Sequence, residues 1–151
     1  MTPTEKLLEM KLELPVTAAT VGRYVPAVRT GNLVFTSGQI PMRSGQLVAE
    51  GKVPSDVSMS QAHAAARQCV LNALAAIKGV AGSLDTITRV VRVNVFVNSS
   101  PGFVEQATVA NAASELLNDL FGDAGRHTRC AIGASDLPLS APVELDLIVE
   151  V

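Results

Sequence analysis

At 151 residues the chain is the size of one domain, and no repeat, low-complexity tract or linker divides it. A net charge of −2, a pI of about 5.6 and the lack of a basic stripe argue against gripping a nucleic-acid backbone, and one Tyr with no Trp leaves few platforms for stacked bases. Apolar residues make up 48% of the chain and charged ones only 17%, which points to a subunit interface as an outlet for apolar surface; an Ala-rich monomer is the alternative.

The chain opens with "TPTE", Thr2 to Glu5, a helix start with Thr as cap, Pro at the first position and Glu three residues on. A short helix to about Lys11 is expected, with Leu7 and Leu8 facing inward. These first fifteen residues mix Glu and Lys and hold no secretory apolar core. "RYVPAVRTGNLVFTSGQIP" reads as two strands joined at "TGN", with Pro26 marking an edge or a bulge in the first. "GQLVAEGK" is a candidate third strand.

Ser58 and Gln61 form a second capping box, which begins the longest helix, Met59 to about Val80. Ala62, Ala66, Cys69, Ala73, Ile77 and Val80 recur on one narrow face suited to lying on a sheet, and Gly82 is a stop. The apolar run inside it, "CVLNALAAI", is broken by Asn72 and ends at Lys78, too short and too polar to span a bilayer. A cytoplasmic protein with no membrane partner is expected. "TITRVVRVNVFVNS" alternates with period two, placing Val91, Val93, Val95 and Val97 on one face and Arg92, Asn94 and Phe96 on the other. A further helix follows from about Phe103 to Phe121, then a strand from Thr128 to Ala134, and "PVELDLIVEV" closes the chain as a last strand. The order is that of an α+β domain, with the two main helices on one face of a mixed sheet and a short amino-terminal helix added.

Several motifs fall short of a function. Gly45 to Gly51 is one residue too long for a phosphate loop, and Val53 stands where Ser or Thr would bind magnesium. His63 and His127 lie far apart with no third ligand for a catalytic zinc, so no metal site is expected. Asn98-Ser99-Ser100 matches a glycosylation sequon without a secretory signal to make it relevant. Cys69 and Cys130 are too few for a disulfide framework and are expected as reduced thiols, Cys69 as plain core.

Two features stay open. "FTSGQIP" follows a strand at once; Gly38 lets the backbone turn and exposes its amide, and Ser37 brings a hydroxyl, or the stretch is a simple strand-ending turn. Arg129 opens a strand shortly before Glu144 and Asp146, two carboxylates on one face of the last strand. That arginine is either half of a structural ion pair or a free fork for a ligand carboxylate.

Taken together, "GRYVPAVRTGNLVFTSGQIP", "RVVRVNVFVNS", the segment around Asn111, and Arg129 followed eight residues later by Leu137-Pro138 and "VELDLIVEV" resemble the RidA/YjgF family, the liver perchloric-acid-soluble protein family. The likeness runs from about Gly22 onward, leaving residues 1–20 as an extension of a single domain. It implies a chorismate-mutase-like fold and a homotrimer in which three sheets meet centrally and clefts open between neighbours. The implied reaction is cofactor-free hydrolysis of 2-imino or 2-enamino acids, such as 2-iminobutanoate and 2-aminoacrylate, to 2-keto acids and ammonia. A noncatalytic module that binds a small carboxylate metabolite in the same cleft is the other reading. A ribonuclease label attached to some members sits poorly with the acidic pI.

By this resemblance Arg129 grips the substrate carboxylate and Glu144 positions or activates the attacking water. Tyr24, Ser37, Gly38, Asn111 and Ala131 take cleft positions. The sequence departs from the family where Cys130 replaces Ser, Ala131 replaces Cys, Gly133 replaces a common Glu, and His127-Thr128 replace Pro-Ala. Strand alternation puts Arg129 and Ala131 on one face and Cys130 on the other. With Arg129 in a cleft, Cys130 is expected in the packing between sheet and helices, as an unreactive filler.

Overall fold

Two capping boxes start two of the helices where the sequence places them. In the computed structural model, which describes residues 1–17 and 22–151, helix α1 spans Pro3–Glu9 and helix α2 spans Met59–Ala81. Thr2 Oγ1 accepts the Glu5 N–H at 3.2 Å while Glu5 Oε2 accepts the Thr2 N–H at 2.8 Å. Ser58 and Gln61 repeat the exchange at 3.1 and 2.9 Å. Each box satisfies two backbone donors that the helix itself cannot. Helix α3, Gln106–Phe121, has no such side-chain cap and begins three residues later than expected. Gly82 ends α2 with φ +89° and Gly122 ends α3 with φ +59°, a region that side chains resist.

Five strands, β1 Ala27–Thr30, β2 Leu33–Thr36, β5 Arg89–Asn98, β6 Thr128–Ala134 and β7 Val143–Glu150, form one sheet in the order β1-β2-β7-β5-β6. All pairings are antiparallel except β5 with β6, which run parallel across the α3 crossover. Pro26 precedes β1, an edge strand, where its missing N–H costs no ladder bond. "GQLVAEGK" gives only β4, Gln46–Leu47, which pairs with β3, Met42–Arg43, as a separate hairpin rather than joining the sheet.

One sheet face is covered by α2 and α3. Val93, Val95, Val97, Val143, Leu145, Leu147 and Val149 are fully buried there against Ala62, Ala66, Cys69, Ala73 and Ile77. Each buried Val or Leu contributes about 1.5–3 kcal/mol relative to exposure. Three details differ from the sequence reading. Leu8 is exposed, because α1 packs through Leu7 and the next residue lies about 100° around the helix. Val80 is exposed at the end of α2, past the packed part of its face. A register shift between Val90 and Arg92 lifts Val91 off the buried row and seats Val90 in it. The end of the amino-terminal extension, expected near residue 20, lies outside the described residues. Among the described residues no helix is long and apolar enough to cross a membrane.

Candidate active site

The sheet's other face is open. It carries Glu144 and Asp146 from β7, Asn94 and Phe96 from β5, Cys130 and Ile132 from β6, and Phe35 and Val28 from β2 and β1. Asn94 Nδ2 donates to Asp146 Oδ1 at 2.8 Å, and Arg92 Nε donates to Asn94 Oδ1 at 2.9 Å. Glu144 is half-buried. Desolvation, and then the neighbouring Asp146 charge, hold its carboxyl above the ordinary value.

Gly38 lies beside Glu144. A Cβ on Gly38 would stand 3.1 Å from Glu144 Cδ and 3.3 Å from Oε2, so the missing side chain is what lets the carboxyl approach the backbone. Gly38 lies outside the left-handed region, and its value is proximity rather than turn formation. Its N–H has no acceptor among the described residues. Next to it, Gln39 and Leu145 exchange backbone bonds at 2.7 and 3.0 Å, which fixes the loop against β7. Ser37 Oγ donates to the Val25 carbonyl at 2.6 Å and the Ser37 N–H to Pro26 at 2.8 Å, pinning the segment that carries Tyr24. Tyr24 is exposed, and its ring packs over Gly22, where a Cβ would come within 2.5 Å of Cε1. Ser37, Gly38 and Glu144 thus adjoin one another, and the bonds from Ser37 to Val25 and Pro26 hold the segment next to Tyr24.

Arg129 belongs to a different patch. It aligns with Val93 in the parallel pairing, so it emerges on the helix side of the sheet, at the free edge of β6. Its Nη1 donates to Asn111 Oδ1 at 2.8 Å and to Ser114 Oγ at 3.2 Å, both on α3. Ser114 Oγ is 2.9 Å from His127 Nε2, and His127 Nδ1 is 2.6 Å from the Gly125 carbonyl. The ion-pair alternative does not hold. Among the described residues the ion pairs are Lys6–Glu9 and Lys52–Asp136, and Arg129 makes none. Ala131 shares this face, half-buried against the core.

Cys130 reverses the expectation. It aligns with Asn94 and is exposed on the open face, not buried between sheet and helices. Alternation separates Cys130 from Arg129 as expected, but the partner strand decides which face the helices cover. Arg129 still avoids the core, because β6 is an edge strand and its side chain reaches outward along α3. Arg129 and Glu144 therefore lie on opposite faces of one sheet, and a single chain does not bring them together.

The remaining motifs are structural. Asn98 is buried, donates to the Ala141 carbonyl at 3.2 Å and accepts from Lys52 Nζ at 2.9 Å, which tie down the loop before β7. Lys52 also donates to the Ser135 carbonyl. His63 Nε2 donates to the Thr108 carbonyl at 3.1 Å and links α2 to the start of α3. Cys69 is buried, and burial pushes its thiol well up. Among the described residues no cluster of three or more His, Cys, Asp or Glu could hold a metal ion. Sequence reasoning missed Ser114, although it stands three residues after Asn111 and hence on the same helix face.

This fold has close counterparts. The family described as "YjgF/chorismate_mutase-like, putative endoribonuclease" matches residues 4–151. The chain belongs to this RidA/YjgF family and has its chorismate-mutase-like α+β fold. Protein TCP17 of Trypanosoma cruzi is 41% identical over 145 residues, 95% of this chain and 91% of the relative. A 2-iminobutanoate/2-iminopropanoate deaminase of Dermatophagoides farinae is 26% identical over 140 residues, 91% of this chain and 93% of the relative. The crystal structure of a protein of unknown function from Agrobacterium tumefaciens is 44% identical, with a TM-score of 0.91 over 99% of this chain and 92% of that one. The YjgF gene product of E. coli is 27% identical, with a TM-score of 0.66 over 89% of this chain and 93% of its own.

Proposed function

We propose that this protein is a hydrolytic deaminase of 2-imino and 2-enamino acids, acting in a cleft between neighbouring chains of a homotrimer. The carrying observation is Arg129. It is a guanidinium with no acid partner among the described residues, steadied through Nη1 alone, with Nη2 and Nε on the remaining edge for a carboxylate fork. The name of the Dermatophagoides relative supports the reaction class.

The chemistry fits the groups. A protonated imine carbon is already electrophilic. Water adds to it, forming a C–O bond as the C=N electrons move to nitrogen, and Glu144 takes the water proton. The same carboxyl returns that proton to the amine, the C–N bond breaks as the hydroxyl oxygen forms the C=O bond, and the hydroxyl proton passes to the departing ammonia, so that a 2-keto acid and ammonium leave. A carboxyl held above its ordinary value by burial suits this alternation better than a fully solvated one. Orientation by Arg129 supplies the rest.

The opposed faces support the assembly. Arg129 of one chain meets Glu144, Ser37, Gly38 and Tyr24 only if a second copy presents them. Val28, Phe35 and Ile132, at 50%, 39% and 48% exposure, give the open face an apolar component for that contact.

The test generates 2-iminobutanoate in situ and follows its loss. Wild-type protein should accelerate it, while Arg129→Ala and Arg129→Lys should lose most affinity for 2-oxobutyrate and stay folded. Binding of 2-oxobutyrate without acceleration would make the protein a carboxylate-binding module. Absence of both would end the proposal.

A further inference from the structure

Arg129 is approached from behind by a chain of hydrogen bonds that the deamination steps do not use. The Gly125 carbonyl can only accept, so the hydrogen between it and His127 sits on Nδ1. In the neutral ring Nε2 is then an acceptor, and Ser114 Oγ donates to it. With its one hydrogen committed, the Ser114 oxygen presents lone pairs, and Arg129 Nη1 donates to them. Asn111 Oδ1 takes the second Nη1 hydrogen. The order of donors is fixed from the Gly125 end, and Gly125 is itself fixed. It is buried, and a Cβ there would collide with the Leu117 carbonyl of α3.

We infer that Ser114 and His127 are positioning residues for Arg129, locking Nη1 so that the Nη2–Nε edge faces the ligand carboxylate. The identity of that ligand rests on the deaminase reading; the hydrogen-bond chain does not. Without that chain the guanidinium would keep one anchor, Asn111, and regain rotamers that ligand binding must freeze again.

The structure supplies an internal control. His63 faces a carbonyl through Nε2, so it must carry its hydrogen there, whereas His127 must carry it on Nδ1. Nitrogen-15 NMR of the intact protein at a pH where both rings are neutral should therefore show opposite tautomers, with His63→Gln giving the assignment. In Ser114→Ala, the His127 ring should keep its Nδ1–H tautomer, which the Gly125 carbonyl fixes, while the Arg129 Nε–H order parameter should fall. Ser114→Thr, which keeps the hydroxyl, should restore that order parameter. An Nε2–H tautomer for His127 in the wild type, or an Arg129 order parameter unmoved by Ser114→Ala, would overturn the inference whether or not the protein is a deaminase. In the kinetic arm Ser114→Ala should raise KM for 2-iminobutanoate roughly three- to ten-fold at nearly constant kcat, the signature of lost uniform binding. A fall in kcat at constant KM would also overturn it. Failure of the wild type to turn over any imine would remove the deaminase reading and leave the NMR arm to decide the positioning role.

Discussion

Gly38→Ala tests whether the position of Glu144 matters. The new Cβ would stand 3.1 Å from Glu144 Cδ, where carbon atoms prefer about 3.5–4.0 Å. Relief needs a shift of about 0.5 Å. The atoms in the way are the end of a half-buried side chain, not backbone, so the carboxyl moves and the strand stays. Gly38 also has no positive φ for alanine to strain. The expected stability loss is below about 1 kcal/mol, which for a domain of this size is at most about 4 °C in Tm. Catalysis is less forgiving, since a displacement of about 1 Å can cost about 100-fold. A drop in kcat of roughly ten- to a hundred-fold is expected, with affinity for 2-oxobutyrate little changed because Arg129 is untouched. Initial rates of 2-iminobutanoate loss, beside thermal melting, decide it. Unchanged kcat with unchanged Tm would show that the carboxyl's place is immaterial and would remove Glu144 from the mechanism. A large fall in Tm would instead make Gly38 a packing residue.

Other outcomes follow from the same geometry. The folded chain raises the Glu144 carboxyl above 4.5, so stability from this group is full below that value and is lost as pH rises through the folded value. Glu144→Gln mimics the protonated form, so urea titrations should show the variant gaining on wild type as pH rises past the carboxyl's ordinary value; a pH-independent difference would refute the burial argument. Light scattering should give three times the 15.7 kDa chain mass, and specific activity should fall on dilution below the assembly constant; an active monomer would contradict the opposed half-sites. Cys69, buried with its thiol pushed up, should react with iodoacetamide only as fast as the protein unfolds, as mass spectrometry can follow. Labelling in the native state at a free-thiol rate would show that α2 opens locally.

Caps, hairpin and alternation were readable because each is decided within a few residues. Thr2 with Glu5, Ser58 with Gln61, the Gly31-Asn32 turn and the buried row of β7 all stand where the sequence puts them. What failed was decided at a distance. The facing of Arg129 and Cys130 depends on β6 pairing parallel with β5, so that Arg129 follows Val93 and Cys130 follows Asn94; nothing within Thr128–Ala134 encodes that alignment. The Val91 bulge depends on the register with β7, and Leu8 on which side of α1 meets α3. Asn111 and Arg129 were assigned to a common cleft only through resemblance, and the hydrogen bond between them shows only in the folded chain. Ser114 and His127 acquire their meaning from a side-chain chain that spans two elements and a turn.

The placement of Arg129 and Glu144 on opposite faces of one sheet has a genetic consequence. If each cleft takes its arginine from one chain and its glutamate from the next, chains disabled at different residues can rescue one another. Co-expressed in equal amounts, Arg129→Ala and Glu144→Gln chains would assemble at random, and about a quarter of the clefts would draw both intact halves. Two alleles, each null alone, would then complement within a single protein. A chain carrying both lesions would rescue nothing and would spoil the clefts on either side of it.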